Sequence, residues 1–421
     1  MAELEPALLA ATVAALGAVL PLAHPADAVL RAFFRDHPRL GARDRAFIAE
    51  TVFVCLRRKR LLEHFAGAMR PRRIVIACLA KLQGWSLQEL APLLEAGEIE
   101  WLREVRAASV EGLPLGVRAD LPDWLVERLL ASLGEEQLLA FARSLQQSAP
   151  LDLRVNLMRA KRDAVLARLA RDGIEAEATP FSPVGVRLPG KPSIHRHELF
   201  LSGAVEVQDE GSQLVGLLVA PRRRDLVVDF CAGAGGKTLL LGDLMQSHGR
   251  LYAFDTSEKR LANLKPRLAR AGLSNVQPQL IADEGDSRVR RLAGKVDRVL
   301  VDAPCSGLGT LRRSPDLKWR QTPGTTEEMK AKQASILAAA AQLVRPGGRL
   351  VYGTCSPLEE ENEGIVESFL AAHPDFDLKP AESALAQAKI PLDTGRYLKV
   401  SPQTHGCDGF FAAVLERRRA P

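Results

Sequence analysis

Val296-Asp297-Arg298-Val299-Leu300-Val301-Asp302-Ala303-Pro304-Cys305-Ser306 is the stretch that decides the reading of this chain. Residues 296–301 form a short apolar-rich run, the pattern of a strand covered on both faces of a parallel sheet. The run ends on an aspartate, followed by a cysteine in a Pro-Cys-Ser turn. Residues 349–353 repeat the pattern and lead into Thr354-Cys355-Ser356. In an open α/β sheet, ligands and chemistry gather beyond the carboxyl ends of strands. Cys305, Cys355 and Asp302 are therefore expected at one crevice. A lone cysteine reads as a small buried residue. Two in polar turns at the ends of two such strands point to chemistry.

Outward from that stretch, strand, turn and helix alternate. Strands are expected at 226–230, 251–255, 276–281, 296–301 and 349–354, and helices from 236, at 258–271, 327–344 and 359–371. Residues 408–415 read as a late strand able to pair antiparallel. The fold class is α/β, a Rossmann-like doubly wound sheet. After its first strand comes Asp229-Phe230-Cys231-Ala232-Gly233-Ala234-Gly235-Gly236-Lys237-Thr238, a glycine turn that offers backbone N–H groups to a ligand. A phosphate-binding Walker loop would need Gly at position 231, which is Cys. A dinucleotide fingerprint from Gly233 would need Gly at 238, which is Thr. Asp255 closes the second strand, where an acid suits ribose hydroxyls. After the third, Asp286 is expected to accept from an adenine amino group, with Asp283 its competitor. Each aspartate alone reads as a turn or cap residue. Acids after successive strands favour a ligand site.

Thiol chemistry at such a crevice has a natural substrate. Cytosine carbon 5 is a poor nucleophile, and adding a thiolate to carbon 6 makes it enamine-like and able to accept a methyl group. Asp302 is placed to hydrogen-bond the ring. The residues themselves do not rank Cys305 and Cys355.

The chain has 421 residues, enough for two or three domains. It is 47% hydrophobic and 26% charged, as globular proteins are. A net charge of +6 permits a polyanion partner, while 5% aromatic content argues against an extended base-stacking surface. Cysteines 55, 78, 231, 305, 355 and 407 form no Cys-x-x-Cys pair, so neither a metal site nor a disulfide framework is expected. The apolar run 7–23 is preceded by Glu3 and Glu5 with no Lys or Arg, the wrong charge for a signal peptide. It reads as the first core helix of a cytoplasmic protein, with no membrane contact and a monomeric state expected.

Residues 1–140 read as all-helical, 151–200 as a small α+β unit and 201–421 as the catalytic domain. Ile48, Val52, Cys55 and Leu56 make one apolar helix stripe. The run Arg57-Arg58-Lys59-Arg60, with Arg70, Arg72 and Arg73, would alone be a solvated helix end; ahead of a nucleic-acid enzyme it is expected to bind phosphate. Arg154 and Asn156 alternate outward from Leu153 and Val155, toward solvent. Arg312, Arg313, Lys318 and Trp319 suit a phosphate and a splayed base, and Trp319 equally suits a loop anchor.

At these motifs the chain resembles the Sun/nucleolar-protein family of RNA cytosine-5 methyltransferases. The likeness rests on residues 229–238, 302–307, 312–319, 353–356 and Asp408-Gly409-Phe410-Phe411, in that order. The N-terminal block, through residues 41–60, resembles the NusB-like RNA-binding domain of bacterial members that modify small-subunit (16S) ribosomal RNA. The resemblance implies Cys355 as nucleophile and Cys305 as the aid to product release. It implies that Cys231, Ala232, Gly233, Ala234, Gly235, Gly236, Lys237, Asp255, Asp286 and Asp302 bind S-adenosylmethionine or orient the base. The family turn often has Ala-Pro-Gly-Gly where this chain has Gly233-Ala234-Gly235-Gly236. The competing functions are the same chemistry on transfer RNA and a non-catalytic RNA-binding assembly factor.

Overall fold

The computed structural model describes residues 4–67 and 69–419. Two units are seen: Met1–Ser148 with Thr310–Pro323, and Ala149–Gly309 with Gly324–Pro421.

The first unit is helical. The apolar run near the N-terminus becomes the helix Pro6–Val19, burying Leu9, Ala15, Leu16 and Val19. The stripe Ile48, Val52, Cys55 and Leu56 faces the same core from Ala42–Arg57. Cys55 and Cys78 lie buried in it, and burial, with the hydrogen bond of the Cys55 thiol to Cys78 next, pushes the Cys55 thiol up. These are packing thiols.

The basic run 57–60 is not the open phosphate-binding surface expected of it. The helix breaks at Arg58, between Ala42–Arg57 and Lys59–Ala66, and this corner turns the charges onto partners within the unit. Arg58 Nε donates to the buried Asp120 at 2.6 Å. Arg60 donates to Leu121 O at 2.6 Å and pairs with Asp123 at 2.7 Å. Lys59 pairs with Glu63 at 2.8 Å, and Arg57 donates to Arg312 O at 3.0 Å. The segment Thr310–Pro323 is stitched to this corner. Lys318 Nζ donates to Arg57 O at 2.9 Å and Trp319 Nε1 to Leu56 O at 2.8 Å. Lys59 sits 5.0 Å over the Trp319 ring. Trp319 is therefore an anchor here, not a free stacking platform.

The second unit holds two sheets. The strands are β1 Leu151–Val155, β2 Glu177–Ala178, β3 Gly185–Leu188, β4 Val205–Val207, β5 Leu226–Asp229, β6 Arg250–Asp255, β7 Val276–Leu280, β8 Val296–Asp302, β9 Val344–Thr354, β10 Phe376–Lys379, β11 Leu398–Val400 and β12 Phe410–Arg417. The first four form an antiparallel sheet in the order β2-β3-β1-β4. Arg154 and Asn156 are not solvated as the alternation suggested, but buried at 2% and 4% exposure. Their face packs on the second sheet's helices: Arg154 donates to Gly236 O at 2.8 Å, Asn156 to Ala271 O at 3.0 Å.

The larger sheet runs β10-β12-β9-β8-β5-β6-β7, with β11 also paired to β12. β5 to β9 are mutually parallel and β12 joins β9 antiparallel, as the late strand's pattern allowed. The order reverses between β5 and β8, the switch point at which such sheets bind ligands. The helix Glu258–Ala271 forms where its periodicity predicts. The helix after the Cys305 turn starts earlier than expected, at Pro323, because proline's fixed φ suits a first helical position. β9 is longer than expected. It continues through Arg345-Pro346-Gly347-Gly348, and the pairing with β8 takes up the irregularity as a register shift between Val296 and Arg298. Among the described residues no helix is long and apolar enough to cross a membrane.

Asp120→Ala should show what the corner is worth. It removes the partner of the Arg58 guanidinium and the acceptor of Leu61 N at 3.0 Å. Leaving a largely buried charge unpaired costs about 3 kcal/mol. The expected result is a matching loss in urea unfolding of the helical transition. An unchanged midpoint would show the pair to be idle.

Candidate active site

β8 and β9 lie side by side with Asp302 opposite Gly353, so the two cysteine turns that follow meet. Cys305 Sγ and Cys355 Sγ are 3.4 Å apart, and Cys355 N donates to Cys305 Sγ at 3.3 Å. Both are free thiols. The hydrogen bond to Cys355, then burial, then the charges of Cys355 and Glu361 push the Cys305 thiol well up.

Beneath the pair lies a group that the sequence did not single out. Glu361 is fully buried. Its carboxylate accepts from Ser306 N at 2.8 Å, from Gln333 Nε2 at 3.0 Å, and from the hydroxyls of Ser306 and Ser356. Gln333 also donates to Pro304 O at 2.9 Å. The turn is closed from a third side: Gly309 N donates to Cys355 O, and Gly409 N to Gly309 O, both at 2.8 Å.

A cavity of about 600 Å³ opens beside Asp302. Its walls include Phe230, Cys231, Gly233, Asp255, Asp283 and Asp302. The glycine turn lies between β5 and the helix Gly236–Leu244, with Gly235 as its N-cap in the left-handed region at φ +90°. A Cβ there would stand 2.1 Å from Leu264 Cδ1, so glycine is required. Asp255 fixes the turn by accepting from Gly233 N at 2.8 Å, while its other oxygen accepts from Ser257 N at 2.7 Å. Lys237 pairs with Asp302 at 2.7 Å and lies over the Phe410 ring. Ala232, Ala234, Gly236 and Lys237 shape the turn without being cavity walls themselves.

Asp286 is not a wall either. It caps the short helix Ser287–Arg290, accepting from Arg288 N at 2.8 Å and Ala282 N at 3.0 Å. These backbone bonds hold its carboxyl below the usual range. Asp283 lines the cavity in its place. Thr256, Ser257, Arg260 and Lys332 are further walls that no motif announced.

The charge balance says what the cavity can hold. Asp229, Asp255 and Asp302 close β5, β6 and β8, and Lys237 is the ammonium paired among them. Asp229 is 1% exposed, and its Oδ1 has no hydrogen-bond partner among the described residues. Burial, aided by the charges of Asp302 and Asp255 and only partly offset by Thr238 and Lys237, pushes it up to about 7. The same burial and the neighbouring aspartates raise the Cys231 thiol. A cationic ligand carrying ribose hydroxyls fits the cavity: the walls Asp255, Asp283, Glu284 and Asp302 outnumber Arg260, Lys332 and the Lys237 ammonium paired with Asp302, and Asp255 suits the hydroxyls. Among the described residues no His, Cys, Asp and Glu group could hold a metal.

The chain is similar to known proteins along most of its length. A family described as "16S rRNA methyltransferase RsmB/F" matches residues 216–416, and "Methyltr_RsmF/B-like, ferredoxin-like domain" matches 121–195. A "Probable ribosomal RNA small subunit methyltransferase B" of Synechocystis sp. is 33% identical, over 93% of this chain and 95% of its own. One of the same description from Bacillus subtilis is 30% identical, over 90% and 92%. The solved structure of PH0851 superposes with a TM-score of 0.80 at 26% identity, covering 99% of this chain and all of its own (100%). A methyltransferase homologue from Pyrococcus horikoshii gives 0.63 at 26%, over 74% and 100%.

The Asp229 shift carries a sign that can be tested on cofactor-free protein. Its folded value near 7 lies above the unfolded value of about 3.9. Between the two, the folded protein keeps a proton that the unfolded chain gives up. Asp229 therefore makes stability fall as pH rises from about 4 to about 7, and adds no slope above. Asp229→Asn keeps an acceptor for Thr238 and removes that slope. Urea unfolding of both proteins at pH 5 and pH 8 should show the variant gaining on wild type at pH 8, by an amount on the order of a few kcal/mol. Parallel pH dependence in the two would refute the assignment.

Proposed function

Because this chain belongs to the 16S rRNA methyltransferase RsmB/F family, we propose that it methylates carbon 5 of a cytosine in small-subunit ribosomal RNA, with S-adenosylmethionine as donor. The observation that carries this reading is the thiol pair, 3.4 Å apart beside a carboxylate-walled cavity. An RNA methyltransferase acting on a more nucleophilic atom needs no such pair.

In this reading Gly233, Asp255, Asp283, Cys231 and Asp302 hold the cofactor, with Ala232, Ala234, Gly235, Gly236 and Lys237 shaping their turn. Asp283 takes the adenine-facing role in place of Asp286, whose oxygens serve the helix cap. S-adenosylmethionine, when bound, supplies an electrophilic methyl group. Cys355 acts on the RNA base: its thiolate forms a bond to carbon 6 and pushes electron density to carbon 5. Asp302, at the cavity wall and held by Lys237, orients the ring edge. After methylation a base, Cys305 in this reading, takes the carbon 5 proton, and the C–H electron pair re-forms the carbon 5–carbon 6 double bond as the Cys355 thiolate leaves. Cys305 assists that release.

The test uses labelled S-adenosylmethionine and unmodified ribosomal RNA, followed by digestion to nucleosides. Label in 5-methylcytidine from the small-subunit RNA is expected. Label only in transfer RNA would keep the chemistry and overturn the substrate. Bound cofactor with no label in either would favour an RNA-binding assembly factor. Cys355→Ala should abolish turnover and keep cofactor binding. Cys305→Ala should accumulate a covalent RNA adduct on denaturing gels, and absence of the adduct would count against its release role.

A further inference from the structure

We infer that Glu361 is the positioning residue that holds Cys305 and Cys355 at reacting distance, through one buried carboxylate shared by both cysteine turns. The inference rests on the two thiols being the reacting pair. Each cysteine is followed by a serine, and both serines are buried at 1% and 2% exposure. Ser306 gives Glu361 its backbone N–H and its hydroxyl; Ser356 gives its hydroxyl. The serine hydroxyls also meet each other at 3.0 Å. Gln333, from the helix Pro323–Leu343, donates both to Glu361 and to the carbonyl of Pro304, just before Cys305. Glu361 is itself fixed, since Tyr352 OH donates to its carbonyl oxygen at 2.7 Å.

Buried carboxylates are costly unless donors satisfy them. A fold that only needed to pack here could fill the space with an apolar side chain. Glu361 instead collects donors from both turns and from the neighbouring helix. Its negative charge opposes ionisation of Cys305 nearby. A glutamine could not replace it: its amide NH₂ would face N–H and O–H donors, leaving one of them buried without an acceptor.

The position follows from a local break in the chain. Glu359–Glu361 is a single 3₁₀ turn and Glu363–Ala372 an α-helix, with Asn362 between them at φ −114°, ψ −101°. That break turns Glu361 inward while Glu359 stays exposed. Asn362 adds its own ties to the Cys355 turn, donating to Ser356 O at 2.9 Å and accepting from the Thr354 hydroxyl.

The experiment measures thiol spacing apart from turnover. Diamide takes two electrons and two protons from two thiols, leaving a disulfide, and does so fastest when they are already adjacent. Wild type should form the Cys305–Cys355 disulfide rapidly, with Cys305→Ser as the blank. Glu361→Gln should slow that crosslink and lower kcat about 100-fold, the cost of an ångström-scale misplacement. S-adenosylmethionine binding and the KM for RNA should stay within about twofold, since neither site contains Glu361. Ser356→Ala, a milder change, should fall between the two in both crosslinking and kcat. Unchanged crosslinking in Glu361→Gln would overturn the inference, as would loss of cofactor binding in step with kcat, which marks general unfolding. Failure of the methyltransferase reading itself shows separately, as no label transferred to RNA by the wild type, while full activity in Cys355→Ala would refute the nucleophile assignment alone.

Discussion

The lateral pairing of β8 with β9 is the constraint on which the site depends. Parallel strands cannot be joined by a tight turn, so each needs a crossover connection before its partner can lie beside it. Here the connection contains the helix Pro323–Leu343, and it returns β9 with Gly353 opposite Asp302. Ala303 N donates to Gly353 O at 2.8 Å, so the register persists to the very ends of the strands. Two cysteines distant in sequence then leave the sheet at the same height. A register error of one residue would send the side chains at those ends to opposite faces.

The second requirement is electrostatic. The carboxyl ends of β5, β6 and β8 gather aspartates, and the glycine turn must be held without filling the space they surround. Asp255 binds the turn's Gly233 N–H, and Lys237 spans back to Asp302. Arg154, buried in the small sheet, binds Gly236 O, and Arg267 binds Ala234 O. The carbonyls of the turn are thus taken by arginines outside it, and its geometry does not depend on a proline at Ala234. The small antiparallel sheet consequently helps to hold the glycine turn, a part its alternating sequence did not suggest.

The sheet was legible because its strands are short apolar runs ending in polar turns, and periodicity reports that directly. Cys305, Cys355, Asp255 and Asp302 were legible as a set for the same reason. What failed were positions whose meaning lies in a distant partner. The run 57–60 looked like open charge because Asp120, the partner of Arg58, is 62 residues away. Arg154 looked solvated because alternation along one strand says nothing about what covers its second face. Asp286 and Asp283 share one loop, and only the cap geometry of the short helix Ser287–Arg290 separates them. Glu361 was hidden among three consecutive glutamates. No pattern in that run tells which one turns inward.

The Asp408-Gly409-Phe410-Phe411 motif shows how such distant meaning can be recovered from geometry. Phe410 and Phe411 begin β12 and enter the apolar layers on the two faces of the sheet. Gly409 does something else. Its N–H binds Gly309 O, and Gly309 N–H binds Cys355 O. A Cβ on Gly309 would lie 2.1 Å from Gly409 O and 2.9 Å from Cys355 O, both backbone atoms with little freedom to retreat. The pair of glycines lets three backbones touch where side chains would hold them apart. The antiparallel β12 thus carries its ladder one step past the sheet, into the turn that follows Cys305. The thiol pair is accordingly gripped twice: from below by the Glu361 carboxylate, and from the side by two glycines that exist to let the chain come close.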